Sequence, residues 1–185
     1  MKLPNIKILD EKDKRLHQVS EEVTFPLDKK TIQTIYDALD YLEMSQNEEL
    51  AEKYDLRAGM GLSFCQIGIM KRIFVVSEDF GDGTFGRYIV INPKVLSHSE
   101  ELIYVGEGEG CLSVEEDHQG FVPRSARIKV KAYDCIKEKE IVFRLEGYPA
   151  IVLQHEIDHF SGTLFYDRIN KQNPWTPIED AIVIE

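Results

Sequence analysis

Pro149-Ala150-Ile151-Val152-Leu153-Gln154-His155-Glu156-Ile157-Asp158-His159 is the stretch on which the reading of the fold turns. Pro149 suits a first helical turn and Gly162 suits the position just past a helix end. Ile151, Val152, Leu153, Ile157 and Phe160 put apolar groups around most of the circumference, so this helix is expected to be buried. Residues four apart on a helix lie one above the other, so His155 and His159 can both reach one metal ion. Glu156 follows about 100° around the axis, beside such an ion rather than on it. A carboxylate there can take a proton from an activated water. Two imidazoles and two carboxylates are costly to bury together without a compensating ligand.

Two histidines do not complete a catalytic metal site, which typically has three protein donors and one open position. Downstream of His159 the chain offers Asp167, Glu179, Asp180 and Glu185 but no histidine, and Phe165 stands where an extended histidine motif would place its last donor. Upstream the candidate is Cys111, in Gly108-Glu109-Gly110-Cys111-Leu112-Ser113. A lone cysteine is commonly a small buried hydrophobe. The glycines at 106, 108 and 110 mark backbone that bends sharply or lies close to something.

Outward from the helix, the chain reads as α+β: an N-terminal helix, then antiparallel sheets packed around the central buried helix that carries the H-E-x-x-H stretch. Asp28 to about Tyr54 is helical, with Asp28 as N-cap, a stripe of Ile32, Ile35, Tyr36, Leu39 and Leu42, and a break expected near Asn47. Segments 72–76, 88–91, 101–105, 128–133 and 140–145 are short and rich in β-branched and aromatic residues, as strands are. Asp79-Phe80-Gly81-Asp82-Gly83 and Ile136-Lys137-Glu138-Lys139 read as hairpin connections. Ile128, Val130 and Ala132 alternate with Lys129, Lys131 and Tyr133, which gives that strand one wet face. The tail from Asn173 to Glu185 reads as either a strand or a partner surface. With 185 residues and no linker or repeat, one domain spanning 1–185 is expected.

The 22 basic and 33 acidic residues give a net charge of −11. Such a surface repels a phosphate backbone, which argues against a direct nucleic-acid function. No apolar run exceeds four residues, so no membrane span is expected, since one needs about 20. The N-terminal segment lacks the apolar stretch of a signal peptide, which points to the cytoplasm. Cys65, Cys111 and Cys135 make an odd number, so a disulfide framework is not expected; Cys65 and Cys135 read as buried apolar thiols. His17, His98 and His118 lie in polar stretches and read as surface residues.

Three segments together resemble the signature motifs of the peptide deformylases: Gly59-Met60-Gly61-Leu62-Ser63-Phe64-Cys65-Gln66, Glu109-Gly110-Cys111-Leu112-Ser113, and His155-Glu156-Ile157-Asp158-His159. The Glu115-Glu116 pair and the insert around Asn47 resemble the longer, Gram-positive-like subgroup of that family. The resemblance implies removal of the formyl group from N-formyl-methionyl nascent peptides, with release of formate. It implies metal ligation by Cys111, His155 and His159, general acid/base chemistry at Glu156, and binding of the substrate carbonyl oxygen by Gln66 and the backbone N–H of Leu112. Gly61 and Gly110 fall where the family's backbone meets the substrate peptide. Met60, Ile151 and Val152 are the expected walls of a methionine pocket. The implied ion is Fe2+, and the donor set also suits Zn2+, Ni2+ or Co2+. A transient ribosome contact is implied for an enzyme acting on nascent chains. The sequence departs from the family at Ser63 and Phe64, where two alanines are usual, and at Cys65. Asp158 reads as either a carboxylate behind the metal site or a surface group. The competing readings are a general H-E-x-x-H metallopeptidase, which predicts a third donor downstream, and a non-catalytic domain with a closed structural zinc.

Overall fold

The computed structural model describes residues 2–115, 118–135 and 138–185. Helix α1 (Lys29–Gln46) begins where Asp28 accepts a hydrogen bond from the Thr31 N–H at 2.7 Å. Asn47 ends it and caps the next helix, α2 (Glu48–Tyr54), by accepting from the Leu50 N–H at 3.0 Å. This is the expected break, and an N-cap side chain explains it. The buried stripe of α1 is Ile35, Ala38, Leu39, Leu42 and Met44. Ile32 and Tyr36, expected within it, are 41% and 44% exposed. They flank the stripe, because the sheet surface that α1 covers is narrower than the helix face its apolar residues span.

One sheet has five antiparallel strands in the order β1 (Gly61–Ser63), β2 (Ile73–Asp79), β3 (Phe85–His98), β6 (Arg127–Asp134) and β7 (Lys139–Glu146). Side chains along β2 alternate between two cores, as the two-residue period of a strand demands. Ile73 and Val75 pack under α1 with Leu62, Ile89 and Ile91. Phe74 and Val76 point the other way, to Val90, Val130 and the helix α3 (Tyr148–His159), whose Ala150 and Leu153 meet them. The central strands therefore have both faces covered. The expected wet face of β6 is present: Ile128, Val130 and Ala132 are buried while Lys129, Lys131 and Tyr133 are more exposed.

Strand β3 runs on well past the expected 88–91. Asn92-Pro93 resembles a strand end, yet the chain passes through it on a bulge. Asn92 has φ 50, and its side chain exchanges two hydrogen bonds with the backbone of Val23, at 2.8 and 2.9 Å. A second sheet has the order β5 (Arg124–Ser125), β4 (Leu102–Val105) and β8 (Ile182–Ile184), with β8 parallel to β4. The tail thus supplies a strand. Gly162 follows α3 with φ +69, and a Cβ there would strike the backbone of His17 and Gln18, so it serves both as helix stop and as contact point. Residues 116, 136 and 137, which carry parts of the expected acidic pair and of the second hairpin, lie outside the described residues. Among the described residues no helix is long and apolar enough to cross a membrane. Leu39→Ala, in the core between α1 and the sheet, is expected to cost about 2–5 kcal/mol in denaturant unfolding. A loss below about 0.5 kcal/mol contradicts this account of the core.

Candidate active site

Helix α3 is less apolar than its flanks suggest: Glu156, Asp158 and His159 are buried along with Ala150, Ile151 and Leu153. One turn apart, the rings of His155 and His159 have centroids 5.1 Å from one another. The Cys111 sulfur, from the loop after β4, lies 3.5 Å from Nε2 of His159. That sulfur and one nitrogen from each imidazole are within 4.8 Å of each other, so the trio could hold a metal ion. One thiolate and two imidazoles form a donor set suited to a divalent transition metal. Arg57 pins the loop, donating from Nη1 to the Val114 carbonyl at 2.7 Å and from Nη2 to the Cys111 carbonyl at 3.0 Å.

Behind the trio stands a chain of buried charge. Nδ1 of His155 donates to Glu109 Oε2 at 2.9 Å, which fixes the tautomer and leaves Nε2 for the cleft. Arg124, only 2% exposed, donates to both oxygens of Glu109 at 2.8 Å and to Asp158 Oδ2 at 2.5 Å. Arg168 grips Asp158 from the outer side at 2.5 and 2.6 Å. Asp158 is therefore a buried partner of arginines. Burial opposes ionisation of Glu109, but hydrogen bonds from Arg124 and His155 outweigh it and hold the carboxyl at about 2. Burial likewise opposes a charge on His155, and its hydrogen bonds to Cys111 and Glu109 outweigh that, raising its pKa well above the usual range. Burial and then the His155 charge push His159 well below the usual range, leaving a neutral ring with a free lone pair.

The other wall is the segment around β1. Ser63 N–H donates to Gln66 Oε1 at 2.8 Å, which turns the Gln66 amide N–H₂ towards Cys111 Sγ at 3.4 Å and Ser113 Oγ at 3.2 Å. Ser63 Oγ donates to Glu156 Oε2 at 2.7 Å. A Cβ on Gly61 would collide with Glu156 Oε1, and one on Gly59 would lie 2.7 Å from Leu112, so neither position tolerates a side chain without displacement. Burial raises the Glu156 pKa, against the opposing pull of His155 and the Ser63 hydrogen bond.

A cleft of ≈ 270 Å³ joins these parts. It is lined by Met60, Gly61, Gln66, Gly110, Cys111, Leu112, Ile151, Val152, His155 and Glu156, so the structure gathers every expected site residue except His159 at one surface. His159, 1% exposed, sits behind it. Met60 and Val152 also line a neighbouring apolar hollow of ≈ 290 Å³ with Val76, Val90 and Phe143.

Phe64 is wholly buried in the core under α1 and does not line the cleft, so that departure alters packing and leaves the cleft wall unchanged. Cys65 is buried, and burial followed by the Glu156 charge pushes its thiol up to about 12, consistent with an inert group. Cys135 is only partly buried, because it lies at the end of the sheet beside the α1 core. His17 and His98 are exposed as expected. His118 is not simply a surface residue: its Nε2 lies 3.0 Å from buried Glu11, on the N-terminal segment, and its ring packs tilted against Tyr166 with centroids 4.1 Å apart.

The supporting roles of Arg57, Glu109 and Arg124 escaped the sequence reading. The only signal for Arg124 was a lone cation between small and apolar neighbours in Val122-Pro123-Arg124-Ser125-Ala126. Arg124→Met leaves two carboxylates buried without their shared cation, and its expected cost in denaturant unfolding is about 3–5 kcal/mol. A cost under about 1 kcal/mol contradicts the assigned role.

Comparison with known proteins bears on this geometry. The polypeptide deformylase family model matches residues 6–175. Peptide deformylase 2 of Bacillus cereus is 44% identical over 178 residues, which are 96% of each chain. Peptide deformylase 2 of Bacillus subtilis is 47% identical over 170 residues, 92% of each chain. The crystal structure of the peptide deformylase from Thermotoga maritima superposes with a TM-score of 0.70 at 34% identity, covering 89% of this chain and 97% of that one. A peptide deformylase from Synechococcus elongatus, solved with actinonin, gives a TM-score of 0.73 at 27% identity over 93% of this chain and 84% of that one. The chain accordingly belongs to the polypeptide deformylase family, a family of metal-dependent enzymes.

Proposed function

We propose that this chain removes the formyl group from N-formyl-methionyl nascent peptides, giving formate and a free α-amino group. The observation that carries the reading is the cluster of Cys111, His155 and His159 beside Glu156, with Cys111, His155 and Glu156 lining a cleft walled by Met60 and Gly61 and His159 behind it. Cys111, His155 and His159 hold one divalent metal ion, Fe2+ by family resemblance, with Zn2+, Ni2+ or Co2+ fitting the same donors. When bound, that ion acidifies water and polarises the formyl carbonyl.

The protein's own groups do the rest. Glu156 takes the proton as water attacks the formyl carbon, then hands it to the departing amine. Negative charge grows on the formyl oxygen, where the Gln66 amide and the Leu112 N–H donate. The Gln66 amide is preset for this: the Ser63 N–H holds its oxygen, and one of the two N–H groups that face the Cys111 sulfur and Ser113 passes to the substrate. A formyl carbon bears only hydrogen on its far side, so a cramped space beyond the metal admits it and rejects a full residue. Met60, Ile151 and Val152 line the side that takes the methionine. Strand β1 is at the edge of its sheet, and with Gly61 and Gly110 it lets the peptide pair along the main chain. Family membership sets aside the general metallopeptidase reading. The proposed setting is the cytoplasm, with a transient ribosome contact that relies on local Lys and Arg groups because the net charge is −11.

The metal-loaded protein is expected to release formate from formyl-Met peptides and to leave unformylated controls intact. Glu156→Ala should retain metal and lose about 10²–10⁴-fold in rate; near-normal turnover contradicts the acid/base role. Cys111→Ser should lower metal stoichiometry, measured by elemental analysis. Unchanged stoichiometry and rate remove Cys111 from the metal site.

A further inference from the structure

Ser63 is completely buried at the end of β1. Its Oγ lies 2.7 Å from Glu156 Oε2 and 3.1 Å from the Glu156 backbone oxygen. A hydroxyl has one hydrogen to give. The shorter contact and the charge of the carboxylate place that hydrogen on Oε2. The two oxygens of Glu156 are therefore unlike. Oε2 is held from β1, whereas Oε1 lies over Gly61, where a Cβ would collide with it, and Gly61 and Glu156 both line the cleft.

We infer that Ser63 is a positioning residue for Glu156: its hydroxyl clamps Oε2, so that Oε1 is the oxygen that exchanges the proton with water and with the departing amine. The inference rests on the function proposed above and assigns that chemistry to one atom. The proton passes from the water O–H to Oε1, and later from Oε1 to the amine nitrogen as the C–N bond breaks. Ser63 keeps its own proton throughout, because Oε2 accepts from it both as part of a carboxylate and as the carbonyl oxygen of the acid. Without the clamp, only packing against Gly61 restrains the buried Glu156 carboxylate, and rotation about its last bonds turns its oxygens away from the productive direction. The same residue's N–H orients Gln66, so one strand end sets both the base and an expected oxyanion donor.

The test is steady-state formate release by Ser63→Ala, which deletes one buried oxygen and keeps the backbone N–H. The expected result is a loss of about tenfold in kcat, with KM within about twofold of wild type and metal content unchanged. A double-mutant cycle supplies the readout that a merely structural role would not move. In Glu156→Asp the carboxylate is one methylene short of Ser63, so adding Ser63→Ala should change kcat by less than about twofold. An unchanged kcat in Ser63→Ala, or the same tenfold loss in the Glu156→Asp background, overturns the inference and leaves the proposed function standing. Absence of formate release from the wild-type, metal-loaded protein overturns the proposed function itself.

Discussion

Arg124 is almost fully buried between two carboxylates, and the site is organised by what it neutralises. Two acidic groups and two imidazoles on or beside one core helix would repel one another and strip poorly from water. The guanidinium grips Glu109 in a planar, bidentate fashion and gives its remaining Nη1 to Asp158, a geometry that an ammonium group cannot match. Through Glu109 it sets the tautomer of His155, and through Asp158 it anchors the end of α3 next to His159. The carboxylates of the site can thus be buried with their partners in place, and the same pairing orients the His155 ring through Glu109.

The sheet contributes rigidity on the opposite wall. β2 is covered on both faces, by α1 and by α3, so the adjoining β1 is fixed against it although β1 has only three residues. On that short strand Gly61 gives way to the Glu156 side chain, and Ser63 bonds it. Gln66 hangs from the turn that follows, its amide oriented by the same serine. The proposed base and the proposed carbonyl-binding donor, both held by Ser63, keep their spacing without relying on a loop. The Cys111 sulfur does come from a loop, and there Arg57 supplies the anchoring.

Much of this was legible in the chain. The spacing of His155, Glu156 and His159 implied the helix and the shared face. The β-branched runs marked β2, β6 and β7, and Asp28 and Asn47 marked helix ends. The same spacing put Glu156 beside the proposed ion, and Cys111 stood as the upstream donor candidate, its ligand role implied by the family resemblance. What stayed hidden depends on contacts distant in sequence. Asn92-Pro93 looks like a turn, and only the bonds to Val23 show why β3 continues. The tail read as either a strand or a partner surface, and what makes 182–184 a strand is the edge that β4 offers it, which the local pattern does not decide. Ile32 and Tyr36 fit the helical stripe but lie beyond the edge of what the sheet covers. Ser63 stood out as a departure from the family, while its partner is 93 residues away.

The central claim is that one sulfur and two ring nitrogens, drawn from separate parts of the chain, bind a single ion. X-ray absorption at the zinc edge of the zinc-loaded protein tests it most directly. The account predicts one sulfur scatterer at about 2.3 Å and imidazole nitrogens from two rings at about 2.0–2.1 Å, with a lighter atom completing the shell. A spectrum with no sulfur, or with two, contradicts it.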